Sequence, residues 1–176
     1  MKICLVGECG VGKTSLIKRF VYDEYDDRYL TTVGTKITKK KVNIENPDNN
    51  GPLDVQLLIW DIMGEKSFRN LVQKSYIFGT NGIICTCDLT RENTLPDLHE
   101  WVKMIFQVTG KIPFVIMGNK CDLDGQKFDL GDIKSFASGY ENTLSYLSSA
   151  KTGINVELAF STLCEIILKV LENRTS

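Results

Sequence analysis

Apolar residues along the 176-residue chain recur in two alternating rhythms. Residues 2–7 (KICLVG) form a short apolar run ending in glycine, the pattern of a buried strand. From 13 to about 22, Leu16, Ile17 and Phe20 share one helical face beside Lys18 and Arg19. Residues 35–44 are lysine-rich, with Val42 and Ile44 alternating with polar positions as in a half-exposed strand. The cluster NPDNNGP at 46–52 is dense in turn formers, and Leu53, Val55, Leu57 and Ile59 then alternate into Trp60. Two such strands joined by a local turn predict an antiparallel hairpin.

Residues 82–89, 112–118 and 144–148 read as further short buried strands. Helical patterns separate and follow them, at 92–108, 131–138 and 154–171. In the last, Val156, Phe160, Leu163, Ile167 and Val170 lie on one stripe, which reads as core. Strand and helix alternating in this way predict an α/β fold with a parallel sheet covered on both faces. Neither a repeat nor a linker interrupts the chain, so residues 1–176 are expected to form one domain.

The first strand runs into Gly7-Glu8-Cys9-Gly10-Val11-Gly12-Lys13-Thr14 and then a helix. This is the G-x-x-x-x-G-K-[ST] pattern in its strand–loop–helix setting. Phosphate oxygens carry concentrated negative charge, and backbone N–H groups of a tight loop and a helix N-terminus surround them well. Glycine lets that backbone turn sharply and approach closely. Lys13 is placed to reach the β and γ phosphates, and Thr14 to offer its hydroxyl to Mg²⁺.

The base is addressed by Asn119-Lys120-Cys121-Asp122, just after the strand at 112–118, where open α/β sheets place ligand contacts. A carboxylate at Asp122 accepts from both the N1–H and the 2-amino group of guanine. Adenine lacks that donor pair, so it would leave the carboxylate unpaired. Ser149-Ala150-Lys151 follows the strand at 144–148, and the Ala150 N–H suits the guanine O6. By itself this tripeptide reads more often as a plain loop.

Charge and composition narrow the field. Lys plus Arg number 21 and Asp plus Glu 22, a net charge of −1, which lacks the basic excess of a nucleic-acid binder. No apolar run approaches the roughly 18–20 residues of a membrane helix. Met1 leads almost directly into a strand, so no leader peptide is expected. The six cysteines (Cys4, Cys9, Cys85, Cys87, Cys121, Cys164) have neither zinc nor redox-motif spacing, and there is one histidine, His99. Reduced thiols in a cytoplasmic protein are expected, with Cys4, Cys85 and Cys164 buried as small apolar groups.

Taken together, GECGVGKTS from Gly7, Thr32-Val33-Gly34, Trp60-Asp61-Ile62-Met63-Gly64-Glu65, Asn119-Lys120-Cys121-Asp122 and Ser149-Ala150-Lys151 closely resemble the small GTPases of the Ras superfamily, nearest the Rab-like branch. The likeness spans essentially the whole chain in order and spacing. It implies a P-loop NTPase fold, the small G domain: a six-stranded, mainly parallel sheet with one antiparallel strand and five helices on both faces. It implies a GTP or GDP site with Mg²⁺, two nucleotide-sensing loops at about 23–36 and 61–74, and signalling or vesicle-traffic roles.

By the same resemblance, Gly10, Val11, Gly12, Lys13, Thr14, Ser15, Asn119, Lys120, Asp122, Ser149, Ala150 and Lys151 hold nucleotide. Thr32 ligates Mg²⁺ with Thr14 and donates its N–H to the γ-phosphate, and Asp61 holds the metal through water. The N–H of Gly64 meets the γ-phosphate. Tyr25 stands against the guanine and Tyr29 lids the phosphates, although each also reads as a surface loop aromatic. Trp60 and Phe68 belong either to the core or to a surface for protein effectors and regulators. The expected catalytic set is Lys13, Thr32, Gly64 and Glu65, in a monomer.

The chain departs from the family pattern at Glu65, where a glutamine ordinarily orients the attacking water. An ionised glutamate accepts hydrogen bonds but cannot donate, and it adds negative charge where the transition state needs neutralisation. Slow intrinsic hydrolysis is therefore expected; a nucleotide-stabilised binding module without turnover (a pseudo-GTPase) and an ATP-using enzyme are the rival readings. Arg28, four residues before Thr32, is either a solvated loop residue or an arginine finger in cis. Cys9 replaces a common serine and is read as structural. Lys39-Lys40-Lys41 reads as a charged edge strand, and as a weak contact to acidic membranes. The final Asn173-Arg174-Thr175-Ser176 lacks a prenylation cysteine and residue 2 is Lys, so no lipid anchor is expected unless a tail has been trimmed. Any membrane association would be peripheral, through partners.

Overall fold

The computed structural model describes residues 1–26, 32, 34–44, 51–65 and 74–175, the side chains of 174 and 175 excepted. The expectations attached to Arg28, Tyr29, Phe68 and most of the turn at 46–52 lie outside the described residues. Six strands are present: β1 (Lys2–Val6), β2 (Thr35–Ile44), β3 (Leu53–Ile62), β4 (Gly82–Asp88), β5 (Phe114–Asn119) and β6 (Thr143–Leu147). Among the described residues five helices accompany them: α1 (Lys13–Tyr22), the single-turn α2 (Lys74–Ile77), α3 (Leu98–Thr109), α4 (Leu130–Ala137) and α5 (Val156–Thr175).

The strands form one sheet in the order β2-β3-β1-β4-β5-β6. Only β2 and β3 run antiparallel, in register from Thr35 opposite Ile62 to Ile44 opposite Leu53. The hairpin and the mainly parallel sheet are both as the hydrophobic pattern predicts. Strand β1 lies between β3 and β4 and pairs in parallel with each, so the crevice beyond its C-terminal end is where a ligand belongs.

Alternation along β1 explains the two cores. Ile3 and Leu5 face one way, against Leu16, Phe20, Phe160 and Leu163 of α1 and α5. Cys4 and Val6 face the other, with Trp101, Val102 and Ile105 of α3 and Ile133 of α4. Every residue of β4 is buried, as a central parallel strand requires. Phe20 stacks on Phe160 with ring centroids 3.9 Å apart, fastening α1 to α5. Cys4, Cys85, Cys87 and Cys164 are buried free thiols. Burial holds the Cys87 and Cys164 thiols at a pKa of about 12, so they are inert.

Some boundaries differ from the sequence reading. The helix expected from 92 begins at Leu98. Residues 92–97 instead wind through turns, because the Thr94 hydroxyl takes the Asp88 N–H (3.0 Å) and Pro96 lacks a donor for a preceding turn. Buried Leu95, three residues ahead of Leu98, extends the apolar rhythm back to where no helix lies. Strand β5 starts after Pro113 rather than at 112. The short α2 carries no apolar stripe of its own. Among the three lysines of the charged edge strand, Lys40 lies 3.7 Å over the Phe20 ring and pairs with Glu157 at 3.2 Å, while Lys39 and Lys41 are exposed.

Candidate functional site

Strand β1 ends at Val6, and the chain must turn within six residues to start α1 at Lys13. Gly7, Gly10 and Gly12 take φ of 139°, 76° and 101°, which favours glycine at all three. At two of them space is also closed. A Cβ on Gly7 would lie 2.1 Å from the Thr86 carbonyl oxygen, and one on Gly12 would lie 2.2 Å from the Asn119 amide nitrogen. No side chain caps the N-terminus of α1, which leaves its first N–H groups to the loop mouth.

The Lys13 side chain folds back across that mouth. Its Nζ donates to the Gly7 and Glu8 carbonyls, each at 2.8 Å, and the residue is 6% exposed. Burial pushes its pKa down to about 8, against the attraction of Asp61. Gly64 lies directly on this ammonium: a Cβ there would sit 2.5 Å from Lys13 Nζ and 2.6 Å from the Glu8 backbone.

Thr14, Thr32 and Asp61 converge beside it. The Thr14 Oγ1 is 2.5 Å from Asp61 Oδ2 and 2.8 Å from Thr32 Oγ1. Asp61 is 1% exposed, and its Oδ1 is buried without a hydrogen-bond partner. Burial raises its carboxyl pKa, opposed by the Thr14 hydroxyl and by Lys13 and Lys36. Two hydroxyls and an unpaired buried carboxylate oxygen are hard oxygen donors, and they fit Mg²⁺, which takes one or two carboxylates and fills its shell with phosphates and water. No group of three His, Cys, Asp or Glu residues is gathered for a metal among the described residues.

The C-terminal end of β5 carries the second half. Asn119 is 1% exposed and works inward: its Nδ2 donates to the Val11 carbonyl at 2.8 Å, and its Oδ1 accepts from the Ala150 N–H at 3.2 Å. Asn119 therefore ties the phosphate loop to the 149–151 loop. The Ala150 N–H, expected to face a guanine O6, is directed to this amide. Ser149 and Ala150 are buried, while Asp122 and Lys151 are exposed. Arg19 of α1 holds the Ala150 and Lys151 carbonyls at 2.9 and 2.7 Å. Tyr25 is 37% exposed, and Glu65 is exposed.

A profile of the Ras family matches residues 2–169, nearly the whole chain. The chain belongs to the Ras family. Several similar proteins carry Rab names. The rat Ras-related protein Rab-13 is 30% identical over 99% of this chain and 83% of its own length. Ras-related protein Rab-1 of Theileria annulata is 33% identical over 94% of this chain and 73% of its own. The dog Ras-related protein Rab-22A is 35% identical over 91% and 79%.

As a Rab-like member of the Ras family, the protein is a small GTPase: it binds guanine nucleotide and works through effectors and regulators. The six-stranded sheet with one antiparallel pair and five helices is the small G-domain fold. Among the described residues no helix is long and apolar enough to cross a membrane.

Two residues near the site escaped the sequence reading. Asp88 ends β4, is 1% exposed, and accepts from Lys120 Nζ at 2.6 Å. Arg91 donates to Asp88 at 3.2 Å and to the Cys9 carbonyl at 2.7 Å. The available signal was the position of Asp88 at a strand's C-terminal end, the edge where this sheet type gathers its ligand contacts.

Proposed function

We propose that residues 1–176 act as one G domain that binds GTP and GDP with Mg²⁺ and hydrolyses GTP slowly to GDP and phosphate. The meeting of Lys13, Thr14, Thr32, Asp61 and Gly64 at the N-terminus of α1 carries this reading. The backbone of Gly10, Val11, Gly12, Lys13, Thr14 and Ser15 cradles the phosphates, and Lys13 neutralises the β and γ oxygens. Thr14, Thr32 and Asp61 are the residues to hold Mg²⁺. The bound metal supplies positive charge to the phosphate oxygens.

Asn119, Lys120 and Asp122, with Ser149, Ala150 and Lys151, surround the guanine; Asp122 accepts from its N1–H and 2-amino edge. Tyr25 stands against the base and Tyr29 over the phosphates. Water attacks the γ-phosphorus, oriented by Glu65, and the Gly64 N–H meets the γ-phosphate. Glu65 accepts from the water but cannot donate to the transferring phosphoryl group, and its charge opposes the build-up of negative charge, so turnover is slow. The γ-phosphate orders residues 23–36 and 61–74 through Thr32 and Gly64, and its loss releases them. Effectors then select one state. The protein works as a cytoplasmic monomer, peripheral to membranes where partners bring it there.

Purified protein loaded with fluorescent GDP, challenged separately with excess GTP and ATP, tests the nucleotide reading; phosphate release in a single turnover tests the chemistry. Displacement by GTP alone and slow, magnesium-dependent release are expected. Protein that takes up neither guanine nucleotide overturns the reading, and uptake without any phosphate release limits it to a binding module.

A further inference from the structure

Phosphate loop and base loop leave different strands, β1 and β5, with β4 between them in the sheet. A nucleotide spans both loops, so its residence depends on whether they open together. Besides the direct bond from Asn119 to the Val11 carbonyl, a chain of side chains crosses the gap. Asp88, at the end of β4, accepts from four donors: the Thr90 N–H (3.0 Å) and hydroxyl (2.7 Å) at Oδ1, and Arg91 Nε (3.2 Å) and Lys120 Nζ (2.6 Å) at Oδ2. Lys120 belongs to the base loop and holds a left-handed backbone, φ 68°, a conformation that surrounding contacts must enforce in a lysine. Arg91 reaches the other way, donating through Nη2 to the Cys9 carbonyl of the phosphate loop at 2.7 Å.

The turn carrying Arg91 is itself fixed. The Arg91 N–H donates to the Asp88 carbonyl at 3.0 Å, and the Thr94 hydroxyl is 2.9 Å from both the Asp88 and Arg91 carbonyls. Only arginine's planar fork serves this geometry. Its separated nitrogens address a carboxylate and a carbonyl at once, which a lysine ammonium on a flexible stem does not. Asp88 is buried at 1% exposure, whereas the Arg91 side chain is 47% exposed, so the arginine can be changed without opening the core.

We propose that Asp88 and Arg91 are positioning residues that couple the phosphate loop to the base loop, so that guanine nucleotide is released only when both loops yield. The proposal rests on the nucleotide reading above and adds residues that the binding motifs do not contain. Arg91 touches only protein; it acts through the Cys9 carbonyl and, by way of Asp88, through Lys120.

Stopped-flow release of fluorescent GDP and of fluorescent inosine diphosphate tests it. Inosine lacks the 2-amino group that Asp122 accepts, so the wild type should release it faster than GDP. Arg91→Ala is expected to release GDP about tenfold faster, the effect of losing a hydrogen bond from a charged donor. The inosine-to-guanosine ratio of release rates should shrink as well, because the uncoupled phosphate end lets go before the base contacts count. Arg91→Lys keeps the charge without the fork and should fall between wild type and Arg91→Ala; it also decides the matter should the alanine variant not fold. Either folded variant releasing GDP at the wild-type rate overturns the proposal. So does faster release of both nucleotides with an unchanged ratio, the mark of simple loosening. A wild type that does not retain GDP overturns the nucleotide reading itself.

Discussion

The Thr14 hydroxyl stands 2.5 Å from Asp61 Oδ2, joining the first turn of α1 to the end of β3, and leaves Asp61 Oδ1 buried and unsatisfied. A buried carboxylate oxygen without a donor is costly, and burial accordingly raises the Asp61 pKa even with Lys13 nearby. That cost is relieved when a cation, or water held by one, occupies the space in front of Oδ1. Asp61 Oδ1 is thus an acceptor in reserve for the proposed Mg²⁺.

Replacing Asp61 by alanine removes that reserve. The Asp61→Ala variant is expected to need about 10–100-fold more magnesium to slow GDP release. Titrating magnesium against the GDP release rate measures this. A variant with the wild-type magnesium midpoint would remove Asp61 from the metal site.

Gly64 makes a different kind of prediction. An added Cβ meets the Lys13 ammonium at 2.5 Å and the fixed Glu8 backbone at 2.6 Å, so the 63–65 segment must move outward. In the function proposed above, GDP binding does not need that segment in place, whereas the γ-phosphate does. Gly64→Ala should retain GDP and lose about 10²-fold in single-turnover hydrolysis, the scale of removing one donor from a developing negative charge. Equal hydrolysis by variant and wild type counts against a role for the Gly64 N–H.

How much of this the sequence displayed depends on how local each signal was. The hairpin was legible because Leu53, Val55, Leu57 and Ile59 alternate and the lysine-rich partner lies one turn away. The phosphate loop was legible because its three glycines, lysine and threonine are contiguous. The start of α3 was not, since Pro96 and Thr94 impose turns through a bond back to Asp88 that no periodicity records. Asn119 reads as a base contact in its motif, yet folded it grips the Val11 carbonyl across 108 positions. Asp88 and Arg91 were invisible for the same reason: their distant partners, Lys120 and the Cys9 carbonyl, follow other strands, and only the strand order brings them together.

The Asp88 carboxylate also makes acid stability testable. Burial pushes its pKa up, but Lys120 and the Thr90 donors outweigh that and hold it below the usual carboxylate value. A folded-state pKa below the unfolded one means that the unfolded chain binds protons first as pH falls. The stabilisation is complete above the unfolded value of about 4 and vanishes as pH drops through the lower folded value. Asp88→Asn should cost about 2 kcal/mol at neutral pH, less than a fully buried pair because Lys120 is a third exposed. Urea midpoints of the two proteins should converge as pH falls below 4. A gap that stays constant over that range shows that the pair contributes no charge-dependent stability.

In the function proposed above, Glu65 sets how fast the switch resets. It follows Gly64, whose neighbour is the Lys13 ammonium, so its carboxylate is carried by the segment proposed to meet the γ-phosphate. Its side chain is exposed, and Glu65→Gln exchanges atoms of nearly equal size. Stability should therefore change by less than about 0.5 kcal/mol. Chemistry should change more, because the glutamine amide donates toward the phosphoryl group and removes a negative charge from the transition state. Single-turnover hydrolysis of GTP is expected to rise about tenfold, or 1.4 kcal/mol of barrier, with GDP release unaltered. Were the glutamine variant no faster than wild type, the slow reset would belong to another part of the loop, and Glu65 would have no part in setting the rate.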